Sequence, residues 1–243
     1  MHTPAIAVVI PVYNAGRFIN ESIDSVRAQT TSQWECMIVD DGSTDETPSR
    51  LAAYRDPRIR WIRRANIGDC AARARGVSLA RVPKIVCLAA ADRLYPDALA
   101  RCVSFLDKHI AAGVAYSERT LIMREGTPSD WSGEPSSTSI LKAMSWSRSS
   151  APVSLHTLPG LSAPRGGAPA EWLGDRNPSG DWLLLAGAAI NHKFAFIGRA
   201  PLVKYRVRRS RMMRNIANEY EETIRTGSCL RKAGALQLKE VHS

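Results

Sequence analysis

The sequence predicts an α/β fold, with a central, mostly parallel sheet flanked by helices. Three observations carry the prediction. Ala7-Val8-Val9-Ile10-Pro11-Val12 is an unbroken apolar run, the signature of a strand buried on both faces of a parallel sheet. Met37-Ile38-Val39 ends a second such run. It passes at once into Asp40-Asp41, a Gly42-Ser43-Thr44-Asp45 turn and a helix start at Glu46-Thr47-Pro48. Up to residue 110, strand patterns alternate with helical stripes, as parallel strands joined by helical crossovers require.

The loop Tyr13-Asn14-Ala15-Gly16 follows the first strand. Phe18, Ile19, Ile23 and Val26 then recur at helical spacing, ending near Gln29. Trp34 to Asp40 is the second strand. Leu51 and Tyr54 lie on a short helix closed by Asp56-Pro57. Ile59-Arg60-Trp61-Ile62 is a third strand, and Asn66-Ile67-Gly68-Asp69 caps a helix from Cys70 to Leu79. Lys84 to Ala89 reads as a fourth strand. Pro96 opens a helix with Leu99, Cys102, Val103 and Leu106 at core spacing. From Gly126 to Gly180 the chain turns rich in Ser, Pro, Gly and Trp, and a structureless loop of that length does not suit a compact domain. Short strands and an ordered or mobile loop are expected there. Asp181 to Ile190 reads as a helix. Phe194-Ala195-Phe196-Ile197 and Leu202 to Val207 read as two strands, and Met213 to Val241 as a helical tail.

The 243 residues suit one large domain or two small ones, and 44% hydrophobic content supports a packed core. No stretch approaches the roughly 18–20 continuous apolar residues of a membrane helix. No charged start with an apolar segment behind it marks a secretory signal. The five cysteines are an odd number without metal-ligand spacing, and Cys36, Cys87 and Cys102, on apolar stretches, read as small core residues in a reducing compartment. The five histidines form no pair at ligand spacing, so zinc is not expected. The net charge of +10 points to an anionic substrate, nucleic acid or the anionic inner membrane leaflet. No helix-turn-helix, zinc finger or aromatic RNA platform is visible, which argues against nucleic acid.

Ligands of open α/β sheets bind beyond the carboxyl ends of the strands. Pro11, Tyr13 and Asn14 stand there, either as an ordinary strand-ending turn or as nucleotide contacts. Of the acid pair, Asp40 is expected to accept turn N–H groups. A carboxylate at the rim of such a ligand crevice can accept hydrogen bonds from a base N–H or a sugar hydroxyl.

Several segments, in order, resemble family 2 glycosyltransferases of the GT-A fold. They are Val9-Ile10-Pro11-Val12-Tyr13-Asn14, Ser25 to Thr30, Ile38 to Asp45, Ala71-Ala72-Arg73-Ala74-Arg75-Gly76 and Tyr95-Pro96-Asp97-Ala98-Leu99. Gly180-Asp181-Trp182 and Tyr205-Arg206-Val207 complete the series. The resemblance implies an inverting transfer of sugar from a nucleoside-diphosphate donor, of UDP type, to an acceptor hydroxyl. It implies a base contact for Asp41, a diphosphate or base contact for Arg73, and the general base for Asp181. Asp181 stands at a helix start, where an ordinary cap is the alternative. It implies that residues 1–125 form the nucleotide-sugar-binding half, 126–210 the acceptor-side half and 211–243 a helical tail. The acceptor itself is not legible.

Two departures concern the metal. The family's Asp-x-Asp acids fall on Ala89 and Ala91, and only Asp92 survives beside them. Where relatives carry a histidine ligand this chain has Arg208. Magnesium or manganese is therefore less expected than is usual for the family. Arg208, with a guanidinium suited to diphosphate, is the expected substitute. A second reading is a catalytically degenerate GT-A domain that binds a nucleotide or a partner. The basic segment Arg206, Arg208, Arg209, Arg211 and Arg214 adds a candidate peripheral-membrane or subunit contact. The expected location is the cytoplasm, including the inner face of its membrane.

Overall fold

The computed structural model describes residues 3–110, 112–122, 154–156 and 193–206. In chain order the elements are β1 (Ile6–Val12), α1 (Gly16–Arg27), β2 (Trp34–Asp40), α2 (Thr47–Ala52), β3 (Ile59–Arg63) and α3 (Asp69–Leu79). Then come β4 (Ile85–Cys87), β5 (Arg93–Leu94), α4 (Ala98–Lys108), β6 (Ala112–Ile122), β7 (Ser154–His156) and β8 (Lys193–Arg206).

The first sheet has the order β3-β2-β1-β4, with every pair parallel. The apolar runs are buried on both faces, as their lack of alternation requires. Ile6, Val8 and Ile10 of β1 pack with Ile19, Ile23 and Val26 of α1, Leu51 of α2 and Leu99 of α4. Ala7 and Val9 point the other way, toward Val77 of α3. Gly76 lets α3 lie close on that face: a Cβ there would stand 2.3 Å from Cγ1 of Val9.

A second sheet has the order β5-β8-β6-β7, parallel between β6 and β8 and antiparallel at its other pairs. It joins the first sheet through β5, the strand that follows β4 and faces α1. Two features differ from the expectations. Residues 193–206 form one strand rather than two, because the chain passes Gly198 at φ 137° as an irregularity in the ladder with β6. The strand β6, with Ser117, Glu118, Arg119 and Thr120 at its centre, carries no apolar pattern that would mark it. Among the described residues, no helix is long and apolar enough to cross a membrane. The tail 207–243 and the expected helix 181–190 lie outside the described residues.

Candidate active site

The sheet order places a topological switch point at β1, since β2 lies on one side of it and β4 on the other. The amide of Leu88 donates to Val9 O at 2.9 Å, and β4 leaves β1 after this bond. Pro11 is buried in β1 just past that point, on the side β4 has vacated, so its missing N–H costs no ladder bond. The crevice beyond is bounded by the loops after β1, β2, β3 and β4.

The loop after β1 is fixed by the turn after β2. Three successive amides at the start of α1 find side-chain acceptors there. Asn14 N–H donates to Ser43 Oγ at 3.0 Å, Ala15 N–H to Thr47 Oγ1 at 3.1 Å and Gly16 N–H to Asp45 Oδ2 at 2.9 Å. The Ala15 and Gly16 amides are orphan donors of a helix start, and α1 has no side-chain cap from its own N-cap residue. Asn14 returns a bond, its Oδ1 accepting Thr44 N–H at 2.8 Å, and holds φ at 47°. Asn14 is thus a staple between two loops. Tyr13, beside it, is half exposed at the rim. Burial alone would push the Asp45 carboxyl up, but hydrogen bonds from Thr47 and Gly16 outweigh it and hold the group below its ordinary range.

Asp40 accepts Ser43 N–H at 3.0 Å, the structural role expected of it, and lies 3.5 Å from Arg63 Nε. Asp41 is also buried. Its two oxygens accept the amides of Ile67 at 3.2 Å and Gly68 at 2.8 Å, at the entry to α3, with Arg64 Nε 3.7 Å away. Gly42 makes this convergence feasible: it holds φ 79°, and a Cβ there would press on Asn66 N and Arg64 O. Arg73, one turn into α3, is nearly buried and pairs with Asp69 at 2.7 Å.

The turn after β4 runs Ala89-Ala90-Ala91-Asp92. Asp92 is buried, its Oδ1 accepting Arg206 N–H at 3.0 Å and its carbonyl accepting Ser22 Oγ–H at 2.6 Å. Arg206, the last residue of β8 and the first of the basic segment noted in the sequence, reaches this turn. Arg119 lies near Asp92 and Tyr205; burial holds its guanidinium below the ordinary arginine range, against their pull. Methyl groups at 89–91, with arginines around the one remaining acid, do not fit a divalent cation. Among the described residues, no group of three or more His, Cys, Asp or Glu side chains could hold one. Asp181 and Arg208 lie outside the described residues. Pro11, Tyr13, Asn14, Asp41, Arg73 and Asp92 all fall on or behind the loops that rim the sheet's carboxyl edge.

Residues 7–139, more than half of the chain, match the profile of Glycosyl transferase family 2. The chain belongs to this family. It is 39% identical over 132 residues to an uncharacterized protein of Sinorhizobium fredii, covering 52% of this chain and 14% of that protein. It is 34% identical over 125 residues to a chondroitin synthase of Escherichia coli, covering 51% of this chain and 18% of the synthase. The chain thus spans under a fifth of the length of these two relatives. The fold is that of the S. aureus TarS crystal structure in complex with UDP, with a TM-score of 0.66 and 19% identity. That match covers 84% of this chain and 60% of the TarS 1–349 chain in that crystal structure. The family 2 domain and its mostly parallel sheet are what the sequence led one to expect.

Proposed function

We propose that this chain transfers a sugar, with inversion, from a UDP-type nucleotide donor to an acceptor hydroxyl, without a divalent metal. The observation that carries the reading is the crevice at the β1 switch point. It brings exposed Tyr13 and the Asp40-Asp41 turn to one side, and a turn of three alanines rimmed by arginines to the other. The base lies against the β1 and β2 loops, with Tyr13 as its stacking face and Asp41 as an acceptor. Each carboxylate oxygen of Asp41 accepts one backbone N–H, and an oxygen has capacity for a second donor. The diphosphate then points toward β4. A leaving diphosphate needs cationic stabilisation as its charge develops, and arginine supplies it where acids for a metal are missing. Asp181 is the general base and Arg208 a diphosphate contact in this reading. The UDP complex of TarS, a structural neighbour, supports the choice of base and leaving group.

The test incubates the protein with a panel of UDP-sugars and a panel of glycan and lipid-linked acceptors, and follows UDP release and product mass. Acceptor-dependent release with EDTA present supports the reading. Tight UDP binding without release on any acceptor would favour the degenerate, binding-only domain.

A further inference from the structure

The side chain of Arg206 is fully buried although it carries a full charge. Its Nε donates to Ala91 O at 3.0 Å, and its Nη2 meets Glu21 Oε2 at 2.6 Å. Its backbone amide donates to Asp92 Oδ1 at 3.0 Å, and its guanidinium lies 4.7 Å from the ring centre of Phe18. Arg93 pairs with the same Glu21 carboxylate. One residue therefore ties together the end of β8, the 89–92 turn and the middle of α1. Burying the Arg206 guanidinium carries a desolvation cost, which its contacts to Ala91 and to the partly exposed Glu21 offset. What they supply is fixed geometry, which a guanidinium's planar fork gives and an ammonium does not.

We infer that Arg206 is a positioning residue for the donor diphosphate. It acts through the turn against which the phosphates lie, by fixing that turn's geometry. Among the described residues around that turn, Arg93, Arg119 and Arg206 lie near the carboxylates of Glu21 and Asp92. The role rests on the reading of the crevice as a nucleotide-diphosphate site. It makes a distinction that a purely structural brace does not. The base is held by the β1 and β2 loops, so loss of Arg206 weakens ligands with a β-phosphate and spares those without one.

The experiment is calorimetric titration of UDP and of UMP into the full chain. It compares wild type, Arg206→Lys, Arg206→Met and Glu21→Gln, with the folded state of each followed by circular-dichroism melting. Both Arg206 variants are expected to weaken UDP about tenfold or more and UMP less than about twofold. Glu21 is partly exposed and its conservative variant keeps Arg206. It is expected to lower the UDP-to-UMP affinity ratio about threefold even if the Arg206 variants do not fold. Lower melting temperatures with an unchanged ratio overturn the inference and leave the nucleotide site standing. A wild type that binds UMP and UDP equally does the same. A wild type that binds neither overturns the site and the inference together.

Discussion

The carboxylate of Asp41 accepts the backbone N–H of Gly68 at 2.8 Å. With the bond from Ile67, this makes an acid at the end of β2 the anchor for the start of α3. The residue offered as a base contact is therefore also part of the frame that places Arg73.

Asp41→Ala leaves two amides without their charged acceptor, and charge-assisted bonds count for about 1.5–3 kcal/mol each at most. We expect a loss of about 2–3 kcal/mol in urea unfolding, with nucleotide binding reduced further in the folded protein. Asp41→Asn keeps one acceptor oxygen and should lose less stability. Unchanged unfolding of the alanine variant would remove the anchor role.

The capping of α1 by Asp45 carries a pH signature. Its folded carboxyl is held below the ordinary range, so it binds protons less readily than in the unfolded chain. The stability it contributes is present above the unfolded pKa, near 4, and is lost as pH falls below it toward the folded value. Asp56, held low by the hydrogen bond from Arg58 against burial, acts in the same direction. The wild type should lose melting temperature between about pH 5 and pH 3, and Asp45→Asn should lose less over that window. An identical slope in both would show that Asp45 does not contribute.

Gly76 tests the packing of α3 on β1. Alanine in a helix is ordinarily favoured over glycine by about 1 kcal/mol. Here the added methyl meets a fully buried β-branched side chain, Val9, in the central strand. Overpacking of this kind costs about 1–3 kcal/mol, so Gly76→Ala should destabilise. A gain in urea midpoint would show that the helix moves freely on the sheet.

The strands β1, β2 and β4 were legible because continuous apolar runs mark them, and β3 because Ile59, Trp61 and Ile62 stand among arginines between turn residues. Elements of the second sheet were not: β6 is polar through its middle, and Gly198-Arg199-Ala200-Pro201 reads as a turn inside β8. The site was legible in part for the same reason. Tyr13, Asp41 and Arg73 stand in segments with a recognisable local pattern. Ser43, Asp45 and Thr47 read only as a polar turn, because their bonds reach amides 29 to 32 residues away. Arg206 meets Ala91 across 115 residues, and nothing local announces that contact.

Asp181→Asn keeps the shape of the side chain but removes its basicity. If Asp181 takes the acceptor proton, transfer falls by about 10²–10⁴-fold while UDP affinity stays within about twofold. Near-normal turnover of the variant would leave Asp181 with a capping role alone.

A crevice that holds a nucleoside diphosphate with arginines in place of a metal is expected to bind UDP without a divalent cation. The most direct measurement is calorimetric titration of UDP into the wild type, in EDTA and then in manganese. Binding is expected in EDTA, with an affinity that manganese changes by less than about threefold. Binding that appears only with manganese would contradict this expectation and would make Asp92 a displaced metal ligand.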